Sequence, residues 1–102
     1  MFDNNRYMTS GIQQEIPVDL QAFMWSCIDD LRSQGKEIDY LQVFELDREG
    51  AGNTFIQKII HRQEVPFYEK TYYMFSEETV KEKVFVIDSG EYSTMLLADN
   101  EY

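Results

Sequence analysis

The sequence predicts an α+β fold in which an N-terminal amphipathic helix packs on a curved, mostly antiparallel sheet of about five or six strands. Apolar residues recur at helical spacing in residues 17–34, whereas short runs rich in β-branched and aromatic residues dominate after residue 40. The connections between these runs are of turn length, which favours antiparallel neighbours. Because 102 residues is the length of one ordinary domain, we predict a single domain over residues 1–102.

The helix is predicted from Pro17 to about Gln34. Its apolar stripe follows the i, i+3, i+4 recurrence and consists of Leu20, Phe23, Met24, Cys27, Ile28 and Leu31. Pro17 suits the first helical position, and Gly35 can adopt the left-handed conformation that ends a helix. Trp25 lies off the stripe, and we expect it either to widen the buried face or to stand at its rim, where an aromatic ring can anchor a partner.

The rest of the chain predicts strands and turns. A strand is expected around Tyr7–Ile12. Further strands are expected at residues 40–46, 54–62, 67–75, 84–87 and 92–97, with a loop at 47–53 and a solvated connection at 76–83. A loop of residues 63–66 would place His61 opposite Tyr68 and Arg62 opposite Phe67. His61 and Tyr68 would then share one face of the sheet.

The closing segment, VFVIDSGEYSTMLLADNEY at residues 84–102, predicts a hairpin with two apolar faces. A two-residue turn would set Asp88 opposite Glu91, a like-charge pair, so we predict a four-residue loop with Ile87 opposite Tyr92. The helix can cover one face of this hairpin. The other requires the sheet to curl toward a barrel, or another protein chain to cover it, either a partner or a second copy in a homo-oligomer.

Charge and composition exclude several classes of protein. Nineteen acidic residues against nine basic ones give a net charge of −10, which repels phosphate backbones and anionic lipid headgroups. We therefore predict neither direct nucleic-acid binding nor membrane association. The single cysteine excludes an internal disulfide, and the sequence shows neither a signal peptide nor a run of about 18 apolar residues. A cytoplasmic protein is expected.

The residue types that carry chemistry are few and poorly placed for it. Ser93 and Thr94 would lie inside a regular strand without a nucleophile elbow. Cys27 lies on the apolar stripe, where a thiol acts as a small hydrophobe. His61 is more typical of a cross-strand neighbour of an aromatic ring than of a general base. We predict no catalytic residue, no metal site and no cofactor, and the sequence favours a protein that is not an enzyme.

Four stretches of the chain carry a resemblance to a known family: MFDNNRYMTSGIQQEIP, DYLQVFEL, HRQEVPFYEKTY and the closing segment. Together they resemble a family of small proteins from Gram-positive bacteria known as domain of unknown function number 960. The resemblance extends over nearly the whole chain and implies a small cytoplasmic bacterial protein. No activity, ligand or catalytic residue is established for that family, so no functional residue is transferred from it.

Two hypotheses for function follow from the residues. The first is a protein-interaction module that binds a protein partner through an aromatic, partly acidic surface, with Trp25, Tyr68, Tyr72 and Tyr73 as its interface. The second is a small-molecule binder, or a minor enzyme, that uses a pocket formed by His61, Tyr68 and Arg62. A flat aromatic face would favour the first hypothesis. Convergent polar groups around His61 would favour the second.

Overall fold

A computed structural model describes residues 1–102, apart from the side chain of Ala51. Strands make up 44% of the chain and helices 26%, which agrees with the predicted α+β class. The elements in chain order are β1 (Asn5–Met8), α1 (Ser10–Glu15), α2 (Val18–Ser33), β2 (Leu41–Ala51), β3 (Thr54–Gln63), β4 (Tyr68–Met74), β5 (Glu82–Asp88), β6 (Tyr92–Leu97) and α3 (Ala98–Glu101).

The six strands form one open sheet in the order β1-β6-β5-β2-β3-β4. The prediction of a mostly antiparallel sheet is confirmed, since β1 and β6 alone are parallel among the neighbouring pairs. The sheet does not close into a barrel. Of the two predicted ways to cover its second apolar face, the barrel is therefore excluded.

The core lies between α2 and one face of the sheet. The buried residues of α2 match the predicted stripe, except that Phe23 is half-buried and Gln21 is buried as well. Four residues of this stripe pack with Phe44, Val84 and Val86 from the two central strands into one cluster; they are Leu20, Met24, Cys27 and Ile28. Burying such side chains stabilises the fold by roughly 1.5–3 kcal/mol each, which fixes the helix on this face.

The hairpin of β2 and β3 is longer than predicted. Residues 47–53 were expected to form a loop, but both strands continue and a two-residue turn of Gly52 and Asn53 joins them. Gly52 has φ +67°, the left-handed backbone that tight hairpin turns need at their first central position. The opposite charges of Asp47 and Lys58 stand directly across from each other and support the extension.

The β3–β4 hairpin differs from its predicted register by two residues. Arg62 lies opposite Glu69, and His61 lies opposite Lys70. The loop begins one residue later than predicted because Gln63 is held in the strand by its side chain. Its amide donates to the carbonyl oxygens of Glu37 and Pro66 at 3.0 and 2.9 Å. Glu37 lies 26 residues away from Gln63 in the chain, which is why the local pattern did not reveal the register.

The β5–β6 hairpin is shifted in the same way, with Ile87 opposite Thr94 rather than Tyr92. Asp88 stays in the strand because its carboxylate accepts hydrogen bonds from the Phe2 N–H at 2.8 Å and the Gly90 N–H at 2.7 Å. Burial alone would raise the pKa of Asp88, but these hydrogen bonds outweigh it and the pKa lies below its usual value. The predicted assignment of side chains to the two faces is unaffected.

The predicted N-terminal strand exists, but it spans Asn5–Met8 and not Tyr7–Ile12. The strand ends at Met8, and α1 begins at Ser10, with the Thr9 hydroxyl accepting the Ile12 N–H. Phe2 is fully buried. The strand is short because the chain turns to place Ile12 in the core beside α2.

No helix in the part of the chain that the structure describes is long and apolar enough to cross a membrane.

Candidate functional site

The face of the sheet away from α2 is apolar at one end and charged at the other. At the first end, Tyr7, Thr94, Ile87 and Leu41 form one row across β1, β6, β5 and β2. The next row brings Leu96, Phe85 and Val43 together. We call the set Tyr7, Leu41, Phe85, Ile87, Tyr92 and Leu96 the apolar patch.

The apolar patch is not fully covered by the chain. Leu96 is buried, but Tyr7 and Tyr92 are 54% and 46% exposed, and their rings meet edge to face at 5.8 Å. The short helix α3, which follows the patch, buries none of its residues. Tyr102 packs edge-on against Phe85 at 4.9 Å and is itself largely exposed. Exposed aromatic rings beside buried apolar side chains are typical of protein-binding surfaces.

The other end of this face is charged. Arg62 forms an ion pair with Glu45, and their hydrogen bond lowers the pKa of that carboxyl. Beside them lies an open cleft of about 430 Å³ that mixes the two signs of charge; its lining residues are Glu45, Leu46, Asp47, Lys58, Ile60, Lys81, Glu82, Lys83 and Asp99. Acidic and basic side chains alternate here, so the cleft does not favour a ligand of either sign of charge.

The buried polar groups lie on the opposite side, under α2. His61 is stacked on Phe44, with ring centroids 4.5 Å apart, and its Nε2 is 2.7 Å from the Gln42 Oε1. Since the Gln42 amide nitrogen donates to Gln63 Oε1 and to the Asp39 carbonyl, Gln42 Oε1 is the acceptor and His61 Nε2 carries the proton. Burial lowers the pKa of His61 to about 4, so it is neutral near pH 7.

A groove between α2 and β4 lies beside this cluster. It has a volume of about 390 Å³ and is lined by Phe23, Ser26, Cys27, Asp30, Lys70 and Tyr72. The hydroxyl of Tyr68 and the Nδ1 of His61 do not line this groove; they are buried and lack hydrogen-bond partners among the described residues. Burial raises the pKa of the Cys27 thiol to about 12, which keeps it protonated and unreactive.

The structure separates the residues of the predicted interface. Tyr68 and Tyr72 point to the α2 side of β4, while Tyr73 lies on the other face in the row with Lys58 and Asp47. Trp25 is half-buried at the far end of the sheet, under the guanidinium of Arg6 at 4.7 Å. The four aromatic residues therefore do not form one continuous surface.

The predicted pocket of His61, Tyr68 and Arg62 is also corrected. His61 and Tyr68 do share a face, and their rings lie 5.5 Å apart edge to face. Arg62 follows His61 directly in the strand, so its side chain points to the opposite face and pairs with Glu45. Arg62 cannot contribute to a site around His61.

Sequence reasoning missed Tyr7 and Leu41 as parts of an exposed patch, and used Tyr92, Phe85 and Ile87 only as one apolar face of a hairpin. The signal for Tyr7 was weak because it depends on a parallel pairing of β1 with β6 across 87 residues of sequence. Such a pairing leaves no local pattern. The alternation of β5 and β6 did indicate that a second apolar face exists.

The groups considered for catalysis have structural roles in the described part of the chain. Ser93 is buried and its hydroxyl donates to Asn4 Oδ1 at 2.6 Å. Thr94 is half-buried in a row of the apolar patch. Among the residues that the structure describes, no group of three or more His, Cys, Asp or Glu side chains is arranged to hold a metal ion.

The fold and its surfaces define the class of the molecule, a small α+β protein whose open sheet is covered by a helix on one face and left partly bare on the other. The chain belongs to the DUF960 family, described as staphylococcal protein of unknown function, which matches residues 5–100. The resemblance drawn from the sequence is thus confirmed. The chain is also similar to a protein of unknown function from Enterococcus faecalis, whose crystal structure gives a TM-score of 0.75 at 26% identity, over 98% of this chain and 92% of that one. No curated protein matches the sequence.

Proposed function

We propose that the protein is a protein-interaction module that binds a basic polypeptide on the apolar patch. The observation that carries this proposal is the pair of exposed tyrosines, Tyr7 and Tyr92, set beside half-buried Ile87 and Phe85 on an open sheet face. Tyrosine rings give large contact area at low entropic cost, and a partner that covers them removes apolar surface from water.

The charge of the chain selects the kind of partner. A net charge of −10 repels acidic proteins and attracts basic ones, and it raises the association rate with the latter. Acidic side chains also lie next to the patch, with Glu91 adjacent to Tyr92 and exposed. The same charge opposes a second copy on this face, because both copies carry it. A basic partner therefore fits the patch better than self-association does.

Substitution of both patch tyrosines tests this proposal. We expect Tyr7→Ser with Tyr92→Ser to weaken binding of a basic partner at least about tenfold, since central aromatic anchors carry most of the energy of an interface. Partners would be captured on the immobilised protein at low salt, identified by mass spectrometry, and then titrated as purified proteins by calorimetry. Salt should weaken the complex, because its attraction is electrostatic.

Tyr73→Ser is the matched control, because Tyr73 is as exposed as Tyr7, at 54%, and lies on the same face at its charged end. It should leave binding unchanged. If Tyr73→Ser abolishes capture and the patch variant does not, the interface lies on β4, as the sequence suggested, and the apolar patch is wrong. Capture only of acidic proteins would contradict the charge selection.

A second candidate function is supported by the groove between α2 and β4. The Tyr68 hydroxyl and the His61 Nδ1 would offer one donor and one acceptor to a small polar molecule. Both atoms are shielded from solvent and neither residue lines the groove, so such a molecule must displace the groove lining to reach them. This candidate predicts that Tyr68→Phe keeps the stability of the fold, since it removes an unpaired hydroxyl, yet abolishes ligand binding. A fragment screen that follows the NMR signals of the single histidine would check it, and shifts that persist in Tyr68→Phe would contradict it.

A further inference from the structure

The two edges of the sheet are unlike each other. β1 has four residues, whereas β4 has seven, contains no proline and pairs with β3 on one side only. Proteins usually protect an edge by making it short, by inserting proline or by placing charges along it. Within β4 there is one acid, Glu69, and one base, Lys70. Its outer edge therefore offers unpaired backbone N–H and C=O groups to another strand.

The residues that flank β4 are exposed phenylalanines. Phe67 is 73% exposed just before the strand, and Phe75 is 89% exposed just after it. Neither ring belongs to the buried core or to the apolar patch. Two large apolar rings at equal distances from Thr71, the central residue of β4, suggest a partner with the same spacing.

We infer that β4 pairs antiparallel with β4 of a second copy around Thr71, so that the two six-stranded sheets become continuous. With Thr71 opposite Thr71, each Phe67 lies opposite Phe75 of the second copy. Aromatic pairs and Thr–Thr pairs directly across strands are both stabilising. The interface would then cover the rings of Phe67 and Phe75 from both copies.

The same register places each charged side chain of β4 opposite a tyrosine of the second copy. Lys70 comes opposite Tyr72 of the second copy, extending the contact that its Nζ already makes with its own Tyr72 ring at 5.1 Å. Glu69 comes opposite Tyr73. Within residues 67–75, no two like charges stand directly across from each other.

Neighbouring registers are worse. The two-fold axis is perpendicular to the sheet and lies between the two β4 strands. Because paired side chains have to point to the same face, one residue must lie directly opposite the same residue of the second copy. Centring on Lys70 sets the two Lys70 ammonium groups against each other, which is destabilising. Centring on Tyr72 sets Glu69 opposite Phe75 and leaves Phe67 beyond the strand. Thr71 is the centre that pairs both phenylalanines.

The overall charge predicts how this dimer responds to salt. Segment 67–75 is electrically neutral, but each copy carries a net charge of −10, so the copies repel each other at long range. Salt screens that repulsion, with a Debye length of about 10 Å at 0.1 M. Dimerisation should strengthen as salt rises. Binding of a basic partner on the apolar patch should weaken, so failure of one proposal can be told apart from failure of the other.

A charge-swap experiment tests the register. Thr71→Lys and Thr71→Glu each place like charges across the axis, and we expect each to raise the dimer dissociation constant about tenfold in sedimentation velocity. Mixing the two variants should restore dimers, and native mass spectrometry should find mostly the mixed species. Thr71 is exposed, so the fold should tolerate both substitutions.

Thr54→Lys is the matched control, since Thr54 is exposed at the start of β3, beyond the part paired with β4. It adds the same charge and should leave the dimer unchanged. A wild-type chain that stays monomeric at high concentration and high salt would overturn the inference. So would dimers that form equally well with Thr71→Lys alone, or a mixture that forms no mixed dimer.

Discussion

Phe44→Ala should lower the free energy of unfolding by about 3–5 kcal/mol, the loss expected when a buried phenylalanine is truncated and its cavity only partly collapses. Phe44 is fully buried at the centre of the cluster between α2 and the sheet. Its ring is also stacked on the His61 ring, with an angle of 8° between the two ring planes. Its removal therefore exposes a void beside a buried polar network as well as losing apolar contacts. Urea unfolding followed by circular dichroism would measure the loss.

Phe55→Ala is the control for this prediction, because Phe55 is 48% exposed and lies outside the core cluster. It should change the stability by about 0.5 kcal/mol or less. Equal losses for the two variants would mean that the core is not centred on Phe44. A loss of less than about 1 kcal/mol for Phe44→Ala would mean that the site repacks.

Lowering the pH from about 6.5 toward 4 should destabilise the fold by up to about 3 kcal/mol through His61 alone. Burial lowers the pKa of His61 to about 4 in the folded state, whereas it is about 6.5 in an unfolded chain. Because the folded pKa is the lower one, the stabilisation is complete above about pH 6.5 and is lost as pH falls through the folded pKa. The physical reason is that a protonated Nδ1 would be a buried donor without an acceptor in the described structure.

The pH dependence can be assigned to His61 by difference. Several carboxyl groups have pKa values lowered by hydrogen bonds and also lose stabilisation in acid; they are Asp29, Glu45, Asp88 and Glu101. The variant His61→Gln keeps these carboxyl contributions and lacks only that of the histidine. The free energy of unfolding should therefore fall more steeply between pH 6.5 and 4 in the wild type than in the variant. As the chain has one histidine, an NMR titration reads its pKa directly. A folded-state pKa near 6.5 would contradict the prediction.

Strands β3 to β6 and helix α2 were predictable because each carries a complete local pattern, whereas β1 and the second half of β2 do not. The 3.6-residue stripe from Leu20 to Leu31 defined both the helix and its buried face. The alternation in β5 and β6 showed that Val84 and Val86 face away from Phe85 and Ile87, whatever the register. Register itself was harder. Both hairpins were misplaced by two residues, because side-chain hydrogen bonds of Gln63 and Asp88 to distant backbone groups decide where each strand ends.

The candidate sites were only partly predictable for the same reason. Tyr68, Tyr72, Tyr73 and Trp25 were grouped by residue type, yet alternation along β4 and the length of the sheet place them on three surfaces. Arg62 was grouped with His61 by proximity in sequence, which in a strand places the two side chains on opposite faces. The patch around Tyr7 required knowledge that β1 lies beside β6.

By itself the sequence determined the fold class, the family, the acidic charge, the buried stripe of α2 and the existence of a second apolar sheet face. These follow from composition and from periodicities that a short window contains. The tertiary structure alone decided the strand order, the two hairpin registers, the burial of Phe2 and His61, and which tyrosines remain exposed. Those depend on contacts between residues far apart in the chain, such as Phe2 with Asp88, that leave no periodic trace in the sequence.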